Sequence, residues 1–454
     1  MANKNLLTYN AKVTQVEQDY FAPVASIAGT NVPISTLYCF LARVVPWPDE
    51  NDPIQPTQDQ QAIKSIFKNM FVAKLINSSN ISPVIQRIDW ISGTNYDYYR
   101  DDIDMFALDQ AGRLERRFYV RNKYDQVFKC LWNNNNADAT DEPFFQPGAY
   151  GNNNIYKGTD GYKWKYMYTI DAGSKTKFMD NLWMPVPVGS GTLNPIETAA
   201  GYGDVEVINV VNGGSGYDPA NAEIIVTVTG DGTGATGEAT VTAGQITDII
   251  VNTPGTNYTF ANVSVTSTLG SNATFIAPIS PIGGHGFDSI DELGASHTMV
   301  TVEFNSDESG NLPIDIDFRQ VGLLVNPTAL STYPAPANGA IYRTTTDVVV
   351  APGFGVFEED ETVFQGSSLE TATFTGTVLN YDTASNVIRL INTTGQFTVN
   401  APIFGSSSLT ARTTLTVSTP DFVLFSGYLS YIENRASVQR SADGIEQFKF
   451  VLGY

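Results

Sequence analysis

Hydrophobic residues along this chain follow two rhythms, and the two-residue one dominates. A helical rhythm has one clear instance. Thr57 follows Pro56 and precedes Gln60 by three residues, the spacing of a capping box that satisfies free N–H groups of a first turn. Ile63, Ile66, Phe67, Met70, Phe71 and Leu75 then form one apolar stripe. Residues 77–82, Asn- and Ser-rich, with Pro83 form the stop. The spacing predicts one amphipathic helix over about 57–76, its stripe turned to a core.

Elsewhere apolar and polar residues alternate. "RRFYV" and "QVFKCLW" flank the polar "RNKYD" and predict a hairpin, while "YKWKYMYTI" from Tyr162 predicts a strand with aromatics on both faces. The stretch 133–156, rich in Asn, Asp, Pro and Gly, predicts a long loop of the kind that moves or serves as contact surface. Near Ala200 the pattern changes. From 201 to 283 there is no Lys or Arg, and "INVVNGGSGY" ending at Tyr217 is echoed by "IIVNTPGTNY" ending at Tyr258. Ile208, Val210, Gly214 and Tyr217 match Ile249, Val251, Gly255 and Tyr258, which predicts a small two-repeat β domain. A second break, 348–420, holds four or five short strands with regular turns between them, a small barrel or sandwich. Segments 1–200, 284–347 and 421–454 remain, and are expected to fold together. The fold class is therefore mainly β (α+β) and multi-domain: a double-layer β-sheet core with one amphipathic helix and two inserted small β domains.

Bulk properties narrow the function. A chain of 454 residues suits two to four units. Charged residues are only 16%, against a usual quarter, which favours a sheet-rich surface with many contacts. Lys and Arg number 26 against 47 Asp and Glu, a net charge of −21, so nucleic acid and membrane are not expected partners. Cys39 and Cys130 lie in apolar strand-like runs far apart, which excludes a disulfide framework and suggests buried thiols in a reducing compartment. The N-terminus lacks a leader's apolar run, and no 18-residue apolar stretch occurs, so a soluble product made in the cytoplasm is expected.

Candidate chemistry is sparse. "GTGATG" at 232–237 satisfies a dinucleotide-binding spacing, but a β pattern follows it where a helix is needed. His285, in "GGHGF", reads as part of a tight turn, and His297 enters a strand; neither has a metal-ligand partner at suitable spacing. "GGSGY" puts Tyr217 where a nucleophile elbow needs Gly. Acidic clusters at Asp101, Asp102 and Asp104, at Asp315 and Asp317, and at Glu358, Glu359, Asp360 and Glu361 read as solvated faces. No enzyme, metal or cofactor is expected. Arg43, Arg87, Arg319 and Arg435 are more informative, because each sits in an otherwise apolar phrase where Arg forms forked bonds to carboxylates or carbonyls. Asp89 and Glu433, two residues from Arg87 and Arg435, fall on the same side of an extended strand. With Trp47, Trp90, Trp164 and Asn434, these residues are the scaffold or interface candidates. Arg435→Ala is expected to impair folding or dimerisation.

Ordered phrases carry a resemblance. "PWPDEND" from Pro46, the helix after "PTQ", "VIQRIDW" from Val84, "VFKCL", "DGYKWKYMYTI", "FRQVGLLVNP" and "YIENR" from Tyr431 resemble, in the same order, baseplate wedge subunit eight of T4-like contractile-tailed phages. The likeness covers the three outer segments; both β inserts depart from the T4 pattern. It implies a non-enzymatic structural protein of the virion tail baseplate, assembled in the host cytoplasm. It further implies a homodimer whose partners resemble T4 wedge subunits six, seven and ten. A carbohydrate-binding or depolymerising tail protein, suggested by aromatics and acidic turns on β modules, is the alternative.

Overall fold

Most of the alternating segments become antiparallel strands, and the fold is mixed α+β and multi-domain, with several sheets, a closed barrel and a few short helices. The computed structural model describes residues 9–21, 35–148, 154–188, 195–441 and 443–453. Residues 1–8, within the N-terminus expected to lack a leader, and 149–153 of the long polar stretch lie outside the described residues. The chain divides into two units: Met1–Gln18 with Ser82–Met299 and Val451–Tyr454, and Asp19–Ile81 with Val300–Phe450. The 1–200 segment is thus cut twice, between Gln18 and Asp19 and between Ile81 and Ser82.

The predicted helix is shorter than its stripe. It spans Gln60–Asn69, and Met70–Ile76 is a strand. Its cap is Asp59, not Thr57: the Asp59 carboxylate accepts from the N–H groups of Gln61 and Ala62 at 3.0 and 2.9 Å. Thr57 instead donates its hydroxyl to Asp59. Met70, Phe71, Val72 and Ala73 are all buried. Four consecutive buried residues suit a strand covered on both faces, whereas a helix would bury only one stripe. Residues 77–82 do not close the helix; after a 3-10 turn at Ser78–Asn80, Pro83 sits inside the strand Ile81–Gln86. Nor is this helix alone, since Tyr9–Phe21, Ala172–Phe178, Pro195–Ala199 and Ser289–Leu293 are also helical.

In the unit of 19–81 and 300–450, a five-stranded antiparallel sheet runs in the order Ile341–Arg343, Met70–Ile76, Leu37–Ala42, Asp317–Val325, Tyr428–Gln439. Tyr38, Phe40, Ile66, Met70, Leu324 and Phe422 pack together on it. The same unit holds the closed barrel, six strands between Thr346 and Ser418. Val348, Val363, Val378, Ile388, Leu390 and Ile403 fill its interior, the inward positions of period-two strands.

The other unit contains the expected hairpin: Tyr119–Arg121 pairs with Gln126–Trp132, which pairs in turn with Lys163–Thr169. Cys39 and Cys130, one in each unit, are free and buried. Residues 201–283 form three two-stranded ribbons related by an approximate twofold. Asn209–Ser215 pairs with Ser271–Ile276, Thr236–Thr242 with Gln245–Thr253, and Ile224–Gly230 with Ala261–Ser267. Ile208 of one repeat bridges its counterpart Ile249.

The repeats interlock through their tyrosines. Tyr217 and Tyr258 are both buried. A Cβ on Gly270 would lie 2.2 Å from the Tyr217 ring, and one on Gly232 would lie 2.4 Å from the Tyr258 ring. Each repeat's tyrosine therefore lies on a glycine of the other repeat. Gly270→Ala should destabilise the chain by about 1–3 kcal/mol through overpacking. An unchanged urea midpoint would show that the ring can move aside.

Candidate functional site

Antiparallel register brings distant phrases to one place. Ala42 pairs with Gln320, and Gln320 pairs with Asn434. Arg43 therefore follows the end of its strand beside Arg319. Between the pairs Phe318–Val438 and Gln320–Asn434, Arg319 alone faces residues 435–437. Such a bulge frees ladder groups and redirects side chains.

The loop after Pro46 takes up those freed groups. Trp47 Nε1 donates to the Arg435 carbonyl at 2.6 Å. Glu50 accepts from the Ser437 N–H at 2.9 Å and from Arg319 Nε at 2.8 Å. Asn434 donates to the Ile54 carbonyl at 2.6 Å and accepts from Gln320 at 2.8 Å. Beneath this loop, Asp317 stands between two arginines, 3.2 Å from Arg43 Nε and 2.5 Å from Arg319 Nη1. Arg43, Asp317 and Arg319 are all buried. Arg43 extends further to Glu359 at 3.3 Å and Asp360 at 2.8 Å. Burial opposes the charge on Arg43, but the bond to Asp360 and the charges of Asp360, Asp317 and Glu359 outweigh it and raise the guanidinium above its ordinary pKa. The bond from Arg319 holds the Glu50 carboxyl below the usual range. Arg435 pairs with Glu433 at 2.6 Å and lies over the Phe448 ring at 5.1 Å.

Two acidic clusters are less solvated than their composition predicts. Asp317 is buried in this network, and Glu361 is buried while accepting bonds from Ser407 and Ser408. Asp317 opens the strand Asp317–Val325, whose first eight residues are all buried, so its carboxylate is covered on either face of the sheet.

Four candidates lie in the other unit. Arg87 pairs with Asp89 at 2.7 Å, and Asp89 pairs with Arg121 at 2.7 Å, which continues to Asp125 at 2.5 Å. Partial burial pushes the Asp89 carboxyl up, but bonds from Arg87 and Arg121 prevail and leave it below its ordinary range. The Trp90 N–H donates to the Arg121 carbonyl at 2.9 Å. Trp164 is fully buried, stacked on Tyr162 with ring centroids 5.4 Å apart and edge-on to Tyr96. These four therefore do not join the Arg43 cluster.

The densest ionic site escaped the sequence reading. Lys163 and Lys165 point the same way from their strand, and Lys165 lies opposite Lys129. All three are buried. Lys165 pairs with Glu206 at 2.9 Å, and Lys163 with Asp248 at 3.0 Å and the Ile208 carbonyl at 2.9 Å. Lys129 pairs with Glu292 at 3.0 Å and lies 3.9 Å from the centre of the Tyr99 ring. The lysine-free 201–283 segment thus meets lysines supplied by the neighbouring sheet. One clue was available: "KWK" puts two cations on one face of an apolar strand, and the segment's acids have no cation of their own.

His285 completes this site. Its Nδ1 lies 3.2 Å from the Lys129 ammonium and 3.4 Å from Glu292. A nitrogen facing an ammonium must accept, so the ring is neutral. Burial and then the Lys129 charge push its pKa down to about 3, from an ordinary 6.5. Burial raises Glu292, but the Lys129 charge overcomes it and lowers its pKa to about 2. The unfolded chain then binds more protons than the folded one between about pH 6.5 and 3. Stability is full above pH 6.5 and falls on acidification by up to about 1.4 kcal/mol per pH unit for one proton. Glu292 adds a loss of the same sign below its ordinary 4.5. His285→Asn should flatten the slope between pH 6 and 5 in urea titrations. A slope identical to wild type would assign it to other groups.

Among the described residues, no group of three or more His, Cys, Asp or Glu is placed to hold a metal ion, and no helix is long and apolar enough to cross a membrane. No protein-family model matches the chain, and no curated protein matches it either.

Proposed function

We propose that this chain is a structural, non-enzymatic subunit of a contractile phage tail baseplate. In this reading it is a wedge component whose homodimer links other wedge proteins during assembly and sheath contraction. It is a double-layer β-sheet core carrying two small inserted β domains, and it resides in the virion. One observation supports this above others: "PWPDEND", "FRQVGLLVNP" and "YIENR", three of the phrases that carry the resemblance, meet beside Asp317, where Arg319 donates to Glu50 and Trp47 donates to the Arg435 carbonyl. Residues spaced across the whole chain are spent on holding a surface loop to a sheet, as a rigid contact element requires. Interfaces of obligate assemblies bury on the order of 2,000 Å² or more, an area a chain of this size can supply. The test is mixing with purified wedge subunits resembling six, seven and ten of T4. Co-elution is the expected result, and persistent separate elution at micromolar concentration would sink the assignment.

A further inference from the structure

Lys129, Lys163 and Lys165 are all buried against carboxylates, but their surroundings differ. Among the described residues, only the Lys129–Glu292 pair has an imidazole within hydrogen-bond reach of both partners. His285 Nδ1 lies 3.2 Å from Lys129 Nζ and 3.4 Å from Glu292 Oε2, and Nζ and Oε2 are 3.0 Å apart. The Gly286 N–H donates to the other carboxylate oxygen, Oε1. Side-chain exposure is 0% for Lys129, 2% for Glu292 and 1% for His285. Tyr99 closes the site, its ring 3.9 Å from the ammonium and edge-on to His285 with centroids 5.0 Å apart. An amine and a carboxyl group are thus held in contact, out of water, with a base that reaches both and a donor on the carboxyl oxygen. These are the parts an amide-forming site needs.

We propose that Lys129 and Glu292 condense to a side-chain amide, a covalent link made once within the folded chain. The ion pair described above is the state before closure. From it the ammonium passes a proton to His285 Nδ1, and the imidazolium passes that proton to Glu292 Oε2. An amine then faces a carboxylic acid, a neutral pair that burial favours because two charges out of water are costly. The Nζ lone pair adds to Glu292 Cδ, while the Gly286 N–H stabilises the charge that develops on Oε1. His285 takes a second proton from Nζ and returns it to the Oε2 hydroxyl. The Cδ–Oε2 bond breaks, one water leaves and an amide with a single N–H remains. No oxidant or other reactant is consumed. Because the ion pair is the resting state and the neutral pair the reactive one, closure is slow and follows folding.

Residues 201–283 lie between Lys129 and Glu292 in the chain. The link therefore closes a long loop around the lysine-free β domain, and long loops are where a cross-link restricts the unfolded chain most. Such a link does not depend on the wedge assignment, since it is read on the purified chain alone. A satisfied ion pair would use the same contacts, and the mass of the chain tells the two apart.

Mass spectrometry of the full chain, kept folded for a week at neutral pH and then denatured, tests it. The mass should fall one water below that of the sequence. Tryptic digestion should give a branched peptide joining the segments that carry Lys129 and Glu292, uncut after Lys129. Lys129→Met should keep the full mass. His285→Asn keeps both reacting groups and should slow the appearance of the branched peptide roughly hundredfold or more. If a variant fails to fold, the wild-type mass alone still decides. A wild-type chain of full sequence mass with both peptides unlinked would overturn the proposal. So would a link at Lys165 and Glu206 or at Lys163 and Asp248 in its place, or a branched peptide that forms as fast in folded His285→Asn.

Discussion

Asp317→Asn should lower the unfolding free energy by about 3–5 kcal/mol, although the side chain barely changes shape. The carboxylate stands between two buried guanidiniums, those of Arg43 and Arg319. Removing its charge leaves two cations sharing a poorly hydrated site. Glu359, Asp360 and Glu50 lie nearer water and compensate only in part. Ser437 also loses its charged acceptor, at 2.6 Å from Asp317. Urea unfolding measures the loss, and the same change in an Arg43→Met background should cost less, because one of the stranded cations is then gone. A loss under about 1 kcal/mol would place the cluster among solvent-screened pairs. Arg435→Ala is the informative contrast. Arg435 and Glu433 side chains are 33% and 31% exposed, so the change should cost about 0–1 kcal/mol in ion pairing. That is less than the impaired folding that its apolar phrase suggests.

Lys165→Met should be comparably damaging, by about 3–5 kcal/mol at neutral pH, since it leaves Glu206 buried without its cation. Burial already raises the Glu206 carboxyl against the pull of Lys165. Without Lys165 the rise is greater. The folded variant then binds a proton that the unfolded chain releases, so its stability falls as pH rises above about 4.5 and recovers on acidification. That slope is opposite in sign to the one His285 imposes on the wild type. Urea titrations at pH 5 and 7.5 should therefore show the variant closest to wild type at the lower pH. Adding Glu206→Leu should restore much of the loss, because an apolar pair can replace a buried ion pair. A deficit equal at both pH values would mean that packing of the lysine stem, and not charge, is what was lost.

Local pattern and global pairing were unequally legible. The repeat at 201–283 was readable because its glycines and tyrosines recur in order, yet the crossing of Tyr217 onto Gly270 depends on a twofold that only the folded chain has. The stripe at Ile63–Leu75 misled because apolar residues at helical spacing also fit a helix followed by a covered strand. What separates the two is burial of Val72 and Ala73, which are off the stripe. Asp317 reads as part of a solvated cluster because acidic composition does not say whether a strand is covered on both faces, as Asp317–Val325 is.

Among the candidates, Arg87 with Asp89 and Arg435 with Glu433 were within reach of the sequence. Both are pairs two residues apart on extended backbone, and their geometry is local. Division of the chain at Ile81 and Ser82 had no composition change to announce it.

Strand periodicity, the scarcity of positive charge and the two β segments follow from residue order alone, because side-chain alternation and turn chemistry act over a few neighbours. Joining Glu50, Asp317 and Ser437, or Lys165 and Glu206, was left to the tertiary structure. Those contacts are set by strand register and burial, which depend on which distant segment covers which face.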